Sequence, residues 1–161
     1  MKFTVYVALA VLLLALPTAS AQREGAGDSA LVRALINREL DGWAKFDAKL
    51  VASCFTADAL WQNPFGVRLH GSVQLERFLN NLFQRPGYRS ATDTSAPKIM
   101  DIRHEGGDVW TVWSDESSKG QVDDATGKPM APRHSYYMEV VVKTPAGFKI
   151  SESMIMDEKE P

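Results

Sequence analysis

Apolar residues early in the chain repeat at helical spacing. The first predicted helix runs from a cap at Asp28 or Ser29 to about Phe46. One apolar stripe follows it at three- and four-residue intervals: Val32, Leu35, Ile36, Leu40 and Trp43. Asp47 is positioned to cap a second, shorter helix, whose i,i+4 pairs are Leu50 with Cys54 and Val51 with Phe55. The pattern therefore predicts two helices in the first third of the chain.

A short hairpin and a third helix are predicted next. The sequence ALWQN (59–63) forms a strand, Pro64–Gly66 turns the chain, and VRLH (67–70) returns. Gly71-Ser72 opens the helix, which ends at RPG (85–87). Its inward-facing residues share a helical spacing: Leu75, Phe78, Leu79, Leu82 and Phe83.

The second half of the chain alternates with a period of two residues, which is typical of strands. Residues 88–97 are polar and predict a linker or loop. Strands 98–104 and 108–116 then flank Gly106-Gly107, a strong hairpin signal. After a long polar excursion, strands 133–143 and 148–156 flank the turn sequence TPAG. Helices followed by a meander predict an α+β fold, with helices on one face of a curved antiparallel sheet.

Residues 1–21 have the layout of a secretory signal peptide. A short positive start precedes an apolar run, and Ala19-Ser20-Ala21 is a small-x-small cleavage site. The run is too short for a membrane span, and no cysteine directly follows it to carry a lipid anchor. We expect an exported protein, secreted or periplasmic, cleaved after Ala21. Residues 22–27 would be a flexible lead-in to a single domain at 28–156, and residues 157–161 a solvated tail.

Composition argues against several classes of partner. The 161 residues carry 18 basic and 20 acidic side chains, with no basic run that would bind nucleic acid or anionic lipid. Cys54 is the single cysteine, so it forms no disulfide within the chain and is interpreted as a small buried hydrophobe. The histidines, His70, His104 and His134, lack the spacing of a metal motif. No P-loop, dinucleotide fingerprint or G-x-S-x-G elbow occurs, so we expect neither metal nor cofactor.

A group of landmarks in residues 46–79 carries a family resemblance. They are Asp47 opening the second helix, Phe55 ending it, the pair Asp58-Ala59, the turn Pro64-Phe65-Gly66, and Gly71 opening the third helix. With the order of elements, they resemble the nuclear-transport-factor-2-like fold, in its SnoaL-like polyketide cyclase and ketosteroid isomerase branch. This resemblance implies a cone-shaped half-barrel wrapped on three N-terminal helices. It also implies an apolar pocket for a small, ring-containing molecule, and a homodimer packed through the sheets.

The resemblance implies where a reaction would be catalysed. In ketosteroid isomerases the base is an aspartate directly before the turn proline, and Asn63 stands at that position here. An amide cannot take up a proton at neutral pH. The position of the isomerase tyrosine falls on Glu39, and the third position falls near His134. Steroid isomerisation by that route is therefore not expected.

His134 and Glu152 are the alternative candidates for acid–base catalysis. His134 shares a strand face with Tyr136, Met138, Val140 and Val142, and Glu152 shares one with Phe148, Ile150, Met154 and Met156. If both faces line the pocket, the two residues form a dyad suited to proton transfer. A two-residue turn at Pro145-Ala146 would separate these faces, so the dyad requires a longer loop or a bulge. The resemblance favours both residues pointing inward.

Other candidates have two interpretations each. Glu39 is either a third catalytic carboxylate in the pocket, or a side chain that points to solvent or pairs with an arginine. Trp61 either lines the pocket beside Asn63 or packs in the core or dimer. Met138 and Met154 suit a soft pocket lining as well as an ordinary core. The predicted ligand-binding set is Trp61, Asn63, Tyr136, Met138 and Met154.

Two functions stay open at this level. The first is a small-molecule pocket protein, with possible cofactor-free isomerase, cyclase, dehydratase or epoxide hydrolase chemistry. The second is a non-catalytic assembly or interaction domain whose cone is filled by its own side chains.

Overall fold

A computed structural model describes residues 19–158. The first 18 residues, which hold most of the predicted signal peptide, and the last three of the predicted tail lie outside the described residues. The helices are α1 (Ala19–Ala44), α2 (Ala48–Ser53), α3 (Ser72–Leu82) and α4 (Pro86–Arg89). The strands are β1 (Phe55–Gln62), β2 (Arg68–His70), β3 (Thr92–Gly106), β4 (Val109–Lys119), β5 (Arg133–Thr144) and β6 (Gly147–Asp157). The described helices include none that is long and apolar enough to cross a membrane.

The six strands form one sheet in the order β2-β1-β6-β5-β4-β3. Neighbouring strands run antiparallel except for β1 and β6, which pair in parallel and make the sheet mixed. Four register shifts interrupt the β3–β4 ladder, and such bulges bend and twist a sheet. The predicted α+β class with a curved sheet is confirmed.

Helix α1 begins earlier than the sequence predicted. It already includes Ala19, the first described residue, so the predicted cap at Asp28 or Ser29 is wrong and residues 22–27 are helical. Ala21, Gln22 and Glu24 are good helix formers, which favours continuing the helix past the two glycines. The predicted cap of α2 is confirmed, because the Asp47 carboxylate accepts a hydrogen bond from Leu50 N at 2.9 Å.

The polar stretch 88–97 is not the predicted loop. It contains the second half of α4, a short helix that begins at Pro86. It also contains the first part of β3, where Thr92 pairs with Lys119 and Asp93 with Ser118. Strand β3 lies at the edge of the sheet and many of its side chains are exposed. The first half of β3 therefore lacks the alternation of apolar and polar residues from which a strand could be predicted.

One face of the sheet is covered by the helices, and we call it the inner face. The core there joins Val32 and Ile36 of α1 with Leu75 and Leu79 of α3. The sheet contributes Trp110, Val112, Val141 and Ile150 to the same core. The opposite side, which no described helix covers, is called the outer face.

Candidate functional site

The inner face is built from cross-strand rungs of β4, β5 and β6. From the open end inward, the rungs are Glu116–Ser135–Asp157, Ser114–Tyr137–Ile155, Val112–Glu139–Ser153 and Trp110–Val141–Ile150. Polar groups thus extend three rungs deep before the apolar end begins. Sequence analysis missed Glu116, Tyr137 and Glu139.

Glu39 enters this interior from α1. Its side chain is 5% exposed, and the indole N–H of Trp43, one turn later on the helix, donates a hydrogen bond to its Oε1. Burial raises the pKa of Glu39 well above its ordinary value, and the negative charge of Glu139 raises it further. The structure therefore supports the interpretation of Glu39 as an interior carboxyl group, and it does not point to solvent.

Glu139 is the second interior carboxyl group, and it is 3% exposed. Burial raises its pKa to about 7, while a hydrogen bond from Ser153 partly opposes that shift. Burial raises the pKa of both Glu39 and Glu139, and nearby carboxyl groups raise that of Glu39 further. Hydrogen bonds from Trp43 to Glu39 and from Ser153 to Glu139 lower the two pKa values. No cation is among these influences within the described residues, so one or both groups are protonated over much of the range below neutral pH.

Glu116 and Tyr137 form a hydrogen-bonded pair nearer the open end. The Tyr137 hydroxyl donates to Glu116 Oε1. Burial is the main reason that the pKa of Glu116 is raised, and burial together with the Glu116 charge raises the pKa of Tyr137 well above its ordinary value. Tyr88 of α4 also has a pKa raised by burial and by Glu116. Tyr137 is thus held neutral as a hydrogen-bond donor.

An ion pair lies at the rim of the interior. Arg133 contacts Asp157 with two parallel bonds, Nε to Oδ2 at 2.8 Å and Nη2 to Oδ1 at 2.9 Å. The hydroxyl of Ser135 also donates to Asp157 Oδ1, at 2.8 Å. The Arg133 guanidinium lies 4.8 Å from the ring centroid of Phe65, in a cation–π contact. This bidentate geometry fixes the guanidinium at the rim.

Two surface clefts accompany this arrangement. A cleft of about 420 Å³ lies at the rim and is lined by Asn63, Phe65, Met156 and Asp157, among others. A second cleft, of about 480 Å³, lies between α1 and β3, beside Arg33 and Asp101. The first cleft shares Asp157 with the rim ion pair.

Asn63, a predicted ligand-binding residue, lines the rim cleft. Its Oδ1 accepts hydrogen bonds from Phe65 N at 3.0 Å and Val67 N at 2.9 Å, which hold the turn together. This Asx turn explains why asparagine suits this position. The side-chain carbonyl is therefore used by the turn.

Trp61, another predicted ligand-binding residue, packs in the core. It is buried, it stacks on Trp43 with ring centroids 6.5 Å apart, and it contacts Phe78 at 5.4 Å. Of its two interpretations, core packing is the one that the structure shows.

The predicted dyad of His134 and Glu152 is wrong. A bulge at Ser151 shifts the register so that Val140 pairs with Glu152, which does place His134 and Glu152 on one side of the sheet. That side is the outer face. Six residues separate His134 from Val140, or about 20 Å along a strand, so the two side chains do not meet.

The other residues predicted on that strand face are also on the outer side. Tyr136 and Met138 lie there, half-buried, and Met154 is exposed beside them. They line neither the interior nor the rim cleft. The prediction failed because β5 has apolar residues on both faces, and periodicity favoured the more apolar one, which is the outer face. The available signal for the inner face was Ser135, Tyr137 and Glu139, which share their strand face with Val141.

The structure was compared with known proteins. No family model matches the sequence, and no curated protein matches it significantly. A ketosteroid isomerase-like protein from Erwinia carotovora atroseptica superposes with a TM-score of 0.67 at 17% identity, covering 81% of this chain and 96% of that chain. A nuclear-transport-factor-2-like protein with a cystatin-like fold from Novosphingobium aromaticivorans gives 0.66 at 16%, covering 88% and 89%. A candidate dehydratase of that family from Streptomyces avermitilis gives 0.64 at 16%, covering 84% and 99%.

The chain therefore has the nuclear-transport-factor-2-like fold, and the resemblance seen in the sequence is confirmed at the level of the fold. Within that fold, the chemical groups that face the interior are carboxyl groups and tyrosine hydroxyls, which transfer or donate protons. Among the described residues, no group of three or more His, Cys, Asp or Glu side chains is arranged to hold a metal ion.

Proposed function

We propose that this is an exported small-molecule-binding protein that catalyses cofactor-free proton transfer, of isomerase, dehydratase, cyclase or epoxide-opening type. The observation that carries the proposal is the pair of buried carboxyl groups, Glu39 and Glu139, inside the cone. Each is at most 5% exposed, and the charge of Glu139 acts on Glu39.

Burying two carboxyl groups costs stability, because apolar residues of similar size would avoid their desolvation. Such groups are common where proton chemistry occurs. A carboxyl group with a pKa of about 7, as Glu139 has, exists in both protonation states at neutral pH. It can accept a proton from one atom of a substrate and return it to another.

The interior groups and the rim cleft have distinct roles in this proposal. Glu39 and Glu139 act as the acid–base pair, and Glu39 is the one of these that the sequence had already indicated. Tyr137, whose hydroxyl proton is donated to Glu116, accepts a hydrogen bond from a hydroxyl group of the ligand. The rim cleft beside Asn63 and Phe65 receives the ligand. Because Arg133 is already paired with Asp157, the interior favours a neutral, mostly apolar ring compound.

The names of two structural neighbours agree with this class of reaction. One is named a ketosteroid isomerase-like protein and another a candidate dehydratase, and the proposed reaction types include both. At 16–17% identity they support the fold alone, so the reaction rests on the interior groups of this chain.

The proposal is tested first by thermal shift with terpenoid, steroid and polyketide-like ring compounds. Compounds that stabilise the protein are then incubated in D₂O, and solvent deuterium in the recovered compound is measured by mass spectrometry. We expect incorporation by the wild type and its loss in the double variant Glu39→Gln/Glu139→Gln. Glu152→Gln, an exposed outer-face change of the same kind, is the matched control and should behave as the wild type. Absence of any stabilising compound would contradict the proposal.

The second function, a non-catalytic domain with a filled cone, is favoured by one specific observation. Trp43 contacts Trp61 at 6.5 Å and Phe83 at 5.4 Å between ring centroids, so large aromatic side chains fill the space next to Glu39. In that case no ring compound would bind or stabilise the protein.

A homodimer packed through the outer faces is part of the proposal. Its centre would be the rung Trp113–Met138–Met154, where Met154 is 38% exposed. A substitution of Met138 by Glu is expected to convert a dimer to a monomer in sedimentation velocity, whereas a wild-type monomer would contradict the homodimer.

A further inference from the structure

Outside the interior site, His134 forms a different chemical group on the outer face. Its Nδ1 lies 2.7 Å from Ser117 Oγ, and its Nε2 lies 3.5 Å from Asp115 Oδ2. Ser117 is paired with His134 across the β4–β5 ladder, and Asp115 belongs to the next rung on the same face. The strand register therefore brings a hydroxyl, an imidazole and a carboxylate together on one face of the sheet.

A hydroxyl is a weak nucleophile until a base within hydrogen-bond reach removes its proton, and the base acts better when a third group orients it. With the ring proton on Nε2, the Ser117 hydroxyl donates to Nδ1, and Nε2 lies within ion-pair range of Asp115 when the ring is protonated. The imidazole ring of His134 also packs edge-to-face against the ring of Tyr136, with the ring centroids 4.8 Å apart. The ring nitrogens have exchanged places relative to the serine protease triad, but the roles of the three groups are the same.

Two further observations indicate that the group is poised for reaction. Oδ1 of Asp115 is buried without a hydrogen-bond partner among the described residues, so this carboxylate has unused capacity to stabilise a positive ring. In a single copy of the chain the side chains of His134 and Asp115 are 30% and 23% exposed. A small molecule reaches them provided that the proposed homodimer, centred on Met138, leaves the His134 end of the outer face uncovered.

We propose that Ser117, His134 and Asp115 form a second, surface site that hydrolyses small carboxylic esters. Ser117 Oγ attacks the ester carbonyl carbon while its proton passes to His134 Nδ1, and Asp115 stabilises the imidazolium. The C–O bond to the alcohol then breaks, and the alcohol leaves with the proton from Nδ1. Water attacks the acyl-serine with the same base, and the carboxylic acid and free Ser117 are released.

The surroundings define the kind of ester. Tyr136 and Met156 form the rung beside Asp115, and Met156 is partly exposed. Together, Tyr136 and Met156 form a shallow apolar surface next to Asp115, which we call the platform. A short acyl chain or an aryl leaving group can rest on this platform, whereas a bulky substrate gains little more contact.

The test uses the full mature protein with p-nitrophenyl acetate and a fluorophosphonate probe. We expect release of p-nitrophenol and attachment of the acyl or phosphonyl group to Ser117, located by peptide mass spectrometry. Ser117→Ala should remove the labelling, and His134→Gln should slow it by roughly 10²–10⁴-fold. Asp115→Asn should also slow it, because the imidazolium loses its charged partner.

Ser118→Ala is the matched control, since Ser118 is adjacent on β4 and pairs with Arg133 at the end of the ladder. It should label at the wild-type rate. Labelling elsewhere in the chain, or labelling of Ser117 that proceeds equally fast in His134→Gln, would overturn the proposal. The deuterium measurement described above reports on the interior site separately, so failure of either proposal is seen independently.

Discussion

Trp43 donates its indole N–H to the carboxyl group of Glu39, one turn earlier on α1, and this bond joins the aromatic core to the interior acid. Among the influences on the pKa of Glu39, the Trp43 bond lowers it, against burial and the charges of Glu139 and Glu116. The hydrogen bond from Trp43 thus stabilises the buried carboxyl group of Glu39 on this apolar stripe.

Replacing Trp43 with Phe should therefore destabilise the protein. Phenylalanine is smaller than tryptophan, so packing against Trp61 and Phe83 is partly lost. The buried carboxyl group also loses its donor, at a further cost of about 1–3 kcal/mol. Urea unfolding at pH 7 measures the loss. The further change Glu39→Gln should recover part of it, and a Trp43→Phe variant as stable as the wild type would show that the bond contributes nothing.

Stability should fall as pH rises. The pKa of Glu139 is raised from 4.5 to about 7, so between those values the folded state holds a proton that the unfolded state has released. The stabilisation is fully present below about pH 4.5 and is lost as pH increases through 7. At 1.36 kcal/mol per pKa unit, the loss is on the order of 3 kcal/mol.

The variant Glu139→Gln should remove most of this dependence. It should equal the wild type at pH 5 and exceed it at pH 8, as measured by the free energy of unfolding at each pH. A stability that rises between pH 5 and pH 8 in the wild type would contradict the burial of an ionisable Glu139.

Asn63 is predicted to act through its turn. Asn63→Ala removes the acceptor of two backbone bonds, to Phe65 N and Val67 N, and should cost about 1–2 kcal/mol. Asn63→Asp keeps the acceptor and should stay within about 0.5 kcal/mol of the wild type. Equal stability of the Ala and Asp variants would show that the side chain does not hold the turn.

Gly71 should not accept a side chain. Its φ is +86°, and an added Cβ would lie 2.6 Å from the carbonyl oxygen of Ala57. Gly71→Ala should therefore cost more than the roughly 1–3 kcal/mol of backbone strain alone. Gly66→Ala is the control, since its φ is +82° with open space around it. Equal melting temperatures of the two variants would contradict a steric contribution.

Helix spacing, turn residues and strand alternation were sufficient to predict most of the elements. The stripe from Val32 to Trp43, the Asp47 cap and both C-terminal hairpins are determined by contacts close in the chain, which the sequence shows directly. The parallel pairing of β1 with β6 joins segments about 90 residues apart, so no local pattern revealed it.

The candidate site divides in the same way. The sequence by itself determined that Glu39 lies on an apolar helical stripe and that Asn63 directly precedes the turn proline. Only the tertiary structure decided that Ser135, Tyr137 and Glu139 face inward while His134 faces outward. The reason is physical: strand alternation separates two faces but does not say which one the helices cover, and that choice depends on how the helices pack against the sheet.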